Sequence, residues 1–123
     1  PIKIDRYEMQ FDVWKFNQYF NILPGKEKDY RKFLEEEFIP GMERVGIRVT
    51  NIWKVAIGSG PFVLVEGTGY RIDGLARAIA ADDYRAITRT LKSKFVSDYQ
   101  SKILAPTKRV ELPYLIKGMT SKL

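Results

Sequence analysis

The chain has 123 residues, of which 45% are hydrophobic and 29% charged, the composition of one folded domain rather than of a disordered segment. It holds neither histidine nor cysteine, which excludes imidazole bases, Ser-His-Asp and Cys-His centres, disulfides, and thiolate or imidazole metal sites. The net charge of +6 is uneven: residues 1–84 are nearly neutral, whereas residues 85–123 are strongly basic, with Asp98 and Glu111 as their acidic side chains. Such a third either attracts an anionic partner or forms a solvated face and a basic tail.

Residues 1–12 read as an N-terminal arm. Val13–Leu23, VWKFNQYFNIL, is aromatic and branched and reads as a strand. One face takes Trp14, Phe16, Gln18, Phe20 and Ile22, and the other takes Lys15, Asn17, Tyr19 and Asn21. Pro24-Gly25 ends it. Lys26–Val45 has helical periodicity, with Tyr30, Phe33, Leu34, Phe38, Met42 and Val45 on one stripe; Pro40 is expected to kink or restart the helix, and Gly46 to cap it. Ile47–Ile57 alternates as a second strand, with Asn51 on the face of Ile47, Val49 and Trp53. Gly58-Ser59-Gly60-Pro61 turns the chain back into Phe62–Tyr70 as an antiparallel partner.

A second helical region begins near Asp73 and breaks at Asp82-Asp83, where either aspartate can cap the helix carrying Tyr84, Ile87, Leu91 and Phe95. A short last strand, Tyr99–Leu104, ends at Pro106. Residues 108–123 keep apolar side chains and read as a C-terminal arm. The order is that of an α+β, ferredoxin-like β-α-β-β-α-β domain over residues 13–107, an antiparallel sheet with both helices on one face. Strands apolar on both faces need cover on the second, so a homodimer with sheets packed face to face is expected. No apolar run approaches the roughly 20 residues that span a bilayer, and the start PIKIDRYEMQ lacks a signal-peptide core, so no membrane partner and a cytoplasmic location are expected.

Several stretches carry a resemblance: Tyr19-Phe20-Asn21-Ile22-Leu23-Pro24-Gly25, Tyr70-Arg71-Ile72-Asp73-Gly74-Leu75, Asp82-Asp83-Tyr84-Arg85-Ala86-Ile87 and Ser101-Lys102-Ile103-Leu104-Ala105-Pro106-Thr107. With the element order, they make the chain resemble the dimeric α/β-barrel superfamily and, within it, most closely the NIPSNAP-like proteins. It departs from that pattern at Gln18, where an arginine is usual, and after the third strand, where an aromatic pair is reduced to Tyr70 and Ile72. The resemblance implies a dimer with a small-molecule pocket between sheet and helices. It also implies a range of activities that includes cofactor-free monooxygenases, isomerases and cyclases. The lack of histidine excludes a His-ligated haem member.

Glu66 is the first catalytic candidate, with Tyr70 four residues on, on the same face of the strand pattern. A carboxylate near the sheet centre either shifts its pKa upward toward a general acid or base or pairs with Lys54 or Arg48 across the hairpin. Gly67 and Gly69 clear space beside it, for a ligand or a close backbone. Asn17 and Tyr19 either orient a substrate or bond across the dimer interface. Trp53, Tyr30 and Tyr84, with Phe33, either line a site for a flat ligand or fill the core. The reading is thus a small organic ligand and, for an enzyme, a cofactor-independent one, with no metal and no cofactor. The alternative is a non-catalytic interaction protein whose arms and basic third bind a protein or anionic partner. Nucleic acid is not expected, because no recognition module is present. A remote alternative is tautomerase-like use of Pro1 as base.

Overall fold

A computed structural model describes residues 13–106. The two expected arms, and Pro1 with them, lie outside the described residues. Strand β1 (Trp14–Ile22) alternates as its sequence dictates, burying Phe16, Gln18 and Phe20 on one side. Gly25, at φ +80, closes the turn after it. Helix α1 (Glu27–Phe33), a π-helical turn (Leu34–Phe38) and helix α2 (Ile39–Arg44) then run on as one rod. The π turn sits immediately ahead of Pro40, whose missing N–H and ring interrupt the α pattern; one wider turn keeps the rod going instead of breaking it. The rod ends in a Schellman arrangement, Ile47 N donating to the Met42 carbonyl at 2.9 Å and Gly46 N to that of Glu43 at 3.0 Å.

Strands β2 (Arg48–Lys54) and β3 (Val63–Gly69) form the hairpin. Helices α3 (Ile72–Ala80) and α4 (Asp82–Lys94) follow, split at Ala81, whose extended backbone frees Asp82 and Asp83 to open the next helix. Strand β4 (Val96–Leu104) begins three residues earlier than Tyr99, the start that its sequence suggests. The reason is a bulge. The β1–β4 register shifts between Tyr19 and Asn21, and Asp98 takes a left-handed φ of 56 there. Asn21 Nδ2 and Ser97 Oγ both donate to Asp98 Oδ2 at 3.1 Å and hold the bulge.

The sheet order is β2-β3-β1-β4, all pairs antiparallel. All helices cover one face, where Phe16, Phe20, Tyr30, Phe33, Phe38, Met42, Ile47, Val65, Leu75 and Leu91 form the core. Burying each such side chain stabilises the fold by roughly 1.5–3 kcal/mol before entropy is counted. The other face of the sheet is open among the described residues. It carries Lys15, Asn17 and Tyr19 from β1, Leu64, Glu66 and Thr68 from β3, and Gln100 and Lys102 from β4, placed opposite one another by the register. This corrects the expectation of two apolar faces: the centre of the second face is polar, and Trp53, Phe62, Leu64 and Leu104 lie around it.

Candidate functional site

A second bulge decides which residues meet on the open face. The β2–β3 register shifts between Val49 and Asn51, so the extra residue turns the strand over. Val49 stays opposite Gly67 on the helix side, whereas Asn51 pairs with Glu66 and Trp53 with Leu64 on the open side. Asn51 and Trp53 therefore do not share the face of Ile47 and Val49, contrary to simple alternation. The flip brings the Trp53 indole N–H to Glu66 Oε1 at 2.9 Å. Lys15, on the other neighbouring strand, bonds Glu66 Oε2 as an ion pair. Lys102 Nζ lies 5.4 Å from the Tyr19 ring centre, and Asn17 Nδ2 donates to the Tyr19 hydroxyl at 3.3 Å.

Four of the sequence candidates, Asn17, Tyr19, Trp53 and Glu66, thus come together. Glu66 pairs with Lys15 rather than with Lys54 or Arg48. Its side chain is 16% exposed, but the Lys15 hydrogen bond, then the Trp53 bond, outweigh burial and lower its pKa below the ordinary value. The upward shift expected for a lone buried carboxylate is therefore reversed, and Glu66 is an ionised acceptor. The space expected beside Gly67 and Gly69 is also filled. A Cβ on Gly67 would meet Ile47 Cγ2 at 2.8 Å, and one on Gly69 would meet Leu75 Cγ at 2.8 Å.

The remaining candidates lie elsewhere. Tyr30 and Tyr84 are buried on the helix side, across the sheet from Trp53. Tyr30 packs edge-on against Phe20 with ring centres 5.8 Å apart, and burial pushes its hydroxyl up to about 12. Tyr70 lies past the end of β3, 64% exposed, on a groove of about 550 Å³ with Arg44, Arg71 and Arg77. Asp73 accepts from Arg71 Nε at 3.0 Å and pairs with Arg77 at 3.5 Å, and Arg71 is the chief cause of its lowered pKa. Glu66 is not among the residues lining that groove, and its side-chain partners are Lys15 and Trp53.

The helix side holds a polar cluster that periodicity did not single out. Gln18 is 1% exposed in the middle of the apolar face of β1. Its Oε1 accepts from the Tyr99 hydroxyl, which lies 3.4 Å from that of Tyr84. The bulge at Asp98 is what turns Tyr99 onto this side, where its ring stacks on Phe20 at 6.3 Å. Burial, then the neighbouring Tyr84, pushes the Tyr99 hydroxyl far up, so it remains a proton donor. Gln18 Nε2 and Thr88 Oγ1 are buried with no hydrogen-bond partner. Thr88 lines a groove of about 430 Å³ together with Tyr84, Arg85, Arg89, Lys92 and Ser93. One signal was available in the sequence: Gln18 is the polar interruption of an otherwise apolar stripe. Among the described residues, no cluster of three or more acidic, His or Cys side chains is arranged to hold a metal, and no helix is long and apolar enough to cross a membrane.

No protein-family profile matches the chain, and no curated protein matches it. Solved structures do. An uncharacterised NIPSNAP-like domain protein from Burkholderia xenovorans superposes with a TM-score of 0.59 at 18% identity, over 80% of this chain and 88% of that one. A DABB-family protein with a ferredoxin-like fold from Mesorhizobium loti gives 0.65 at 9% identity, over 78% and 98%. The fold is the NIPSNAP-like, ferredoxin-type fold. SnoaB, a cofactor-independent oxygenase from Streptomyces nogalater, shares it, with a TM-score of 0.61 at 11% identity over 79% of this chain and 95% of that one. On this NIPSNAP-like frame the layer between helices and sheet contains Gln18, Tyr84, Thr88 and Tyr99, and the open sheet face contains the Lys15–Glu66 pair.

Proposed function

We propose that this NIPSNAP-like chain is a cytoplasmic homodimer that binds a small organic molecule on the helix side of each sheet, without metal or cofactor. One observation carries the reading: Thr88 Oγ1 is buried without a partner on an open groove, and Gln18 Nε2, joined to the groove's Tyr84 through Tyr99, lacks a partner too. Each such group costs roughly 1–3 kcal/mol while unpaired, and a ligand carbonyl or oxyanion would remove that cost. The likeness to SnoaB extends the proposal to cofactor-independent turnover. Such a reaction would use the same neutral N–H and O–H donors to hold an oxygen that gains charge.

The open face then serves as the interface. Trp53, Phe62, Leu64 and Leu104 supply apolar area, and the twin subunit shields the Lys15–Glu66 pair. The buried, unpartnered Oδ1 of Asn17 offers an acceptor to a donor from across the two-fold axis. In this assignment Asn17, Tyr19, Trp53 and Glu66 serve the interface, while Tyr84 serves the ligand.

Native mass spectrometry of the purified chain tests both halves. The expected spectrum shows a dimer whose mass exceeds twice the chain mass by a small molecule, and Gln18→Leu combined with Thr88→Val removes that excess. A monomer would contradict the interface, and an excess mass that survives the double substitution would contradict the site.

A further inference from the structure

We infer that the molecule bound on the helix side is an organic anion, a flat apolar body carrying a carboxylate, with its charge held by Arg85 and Arg89. The inference rests on the proposed ligand site and names the class of ligand it takes. Arg85, Arg89 and Lys92 all line the groove that Thr88 and Tyr84 floor. None of the three takes part in an ion pair among the described residues, and no carboxylate is among the groove's lining residues.

The arrangement is unfavourable for the empty protein. Arg85 and Arg89 stand four apart on one helix, a like-charge spacing that weakens it. Arg85 also lies in the first turn of α4, where the helix dipole disfavours a cation. Lys92 near the other end suits the dipole, and its Nζ lies 5.1 Å from the Tyr99 ring centre. An anion seated between the guanidinium groups removes the repulsion, and two arginines offer the forked geometry that a carboxylate accepts.

The floor of the groove adds the second requirement. Thr88 is 7% exposed, with its Oγ1 buried and unpartnered, so it can donate to an oxygen of the ligand. The buried Tyr84 ring, edge-on to Phe16 at 5.8 Å, gives an aromatic wall. A volume of about 430 Å³ suits a one- or two-ring molecule.

The test compares 1-naphthoate with its neutral counterpart 1-naphthamide by isothermal titration calorimetry on the full chain. The expected result is naphthoate binding at least about tenfold tighter than naphthamide, as one or two charge-assisted hydrogen bonds would give. The double substitution Arg85→Gln and Arg89→Gln should erase that preference by weakening naphthoate to about the affinity of naphthamide. Both arginines are exposed and their repulsion is removed, so this variant should melt no lower than the parent. Thr88→Val should weaken both probes.

Equal binding of the two probes by the parent would overturn the anion class and leave the ligand site standing. Naphthoate binding unaffected by the arginine substitutions would place the anion elsewhere and overturn the inference. Binding of neither probe at millimolar concentration would overturn the ligand site and the inference together.

Discussion

Glu66 shows how neighbours decide what a carboxylate does. Lys15 and Trp53 both donate to it and lower its pKa, so the charged form is the one the folded state prefers. The stabilisation from this group is present above the ordinary carboxylate value of 4.5 and is lost as pH falls through the lower folded-state value. Glu66→Gln should therefore lower stability near neutral pH by about 1 kcal/mol, a figure kept small because Lys15 is half exposed. The difference should shrink in melts repeated at pH values falling below 4.5, and a pH-independent difference would contradict the ion pair. Tyr99 illustrates the opposite chemistry, a hydroxyl kept neutral by burial. Tyr99→Phe leaves Gln18 Oε1 without its donor and should cost about 1–3 kcal/mol in a denaturant titration; a loss of under about 0.3 kcal/mol would mean that the bond contributes little.

At the scale of elements, local irregularities place the functional side chains. Gly46, at φ +98 with open space around it, closes the helical rod, and Gly46→Ala should destabilise the chain by about 1 kcal/mol through backbone strain alone. Deleting Thr50 would remove the bulge in β2 and leave Val49 opposite Gly67, Asn51 opposite Glu66 and Trp53 opposite Leu64 in unbroken alternation, with Trp53 still on the open face. The expected readout is an indole N–H resonance that still shifts as Glu66 titrates, and loss of that shift would contradict the assignment of Thr50 as the extra residue. The strands, the helices and their order were legible in the residues because periods of 2 and 3.6 survive in β1, α1 and α4. The faces of β2 and the start of β4 were not, since one extra residue at Thr50 and a left-handed Asp98 each break the alternation without a glycine to mark them. That is why Trp53 was grouped with Tyr30 and Tyr84 rather than with Glu66. It is also why Tyr99, the donor to Gln18, received no role.

For the whole molecule, the two sides of the sheet carry different chemistry. The open face has a polar centre and an apolar rim, a pattern that suits a two-fold interface better than permanent exposure of a Trp53 that is 54% accessible. On the proposed homodimer, Trp53→Asp should give a monomer in sedimentation equilibrium and leave the melting profile cooperative. The basic third found in the sequence proves to be partly the wall of the helix-side groove, through Arg85, Arg89 and Lys92. The most direct test of the division between faces is an amide NMR titration of the chain with 1-naphthoate. The account predicts that the perturbed resonances cluster at Gln18, Tyr84, Thr88 and Tyr99. Perturbations centred on Asn17, Trp53 and Glu66 would contradict it.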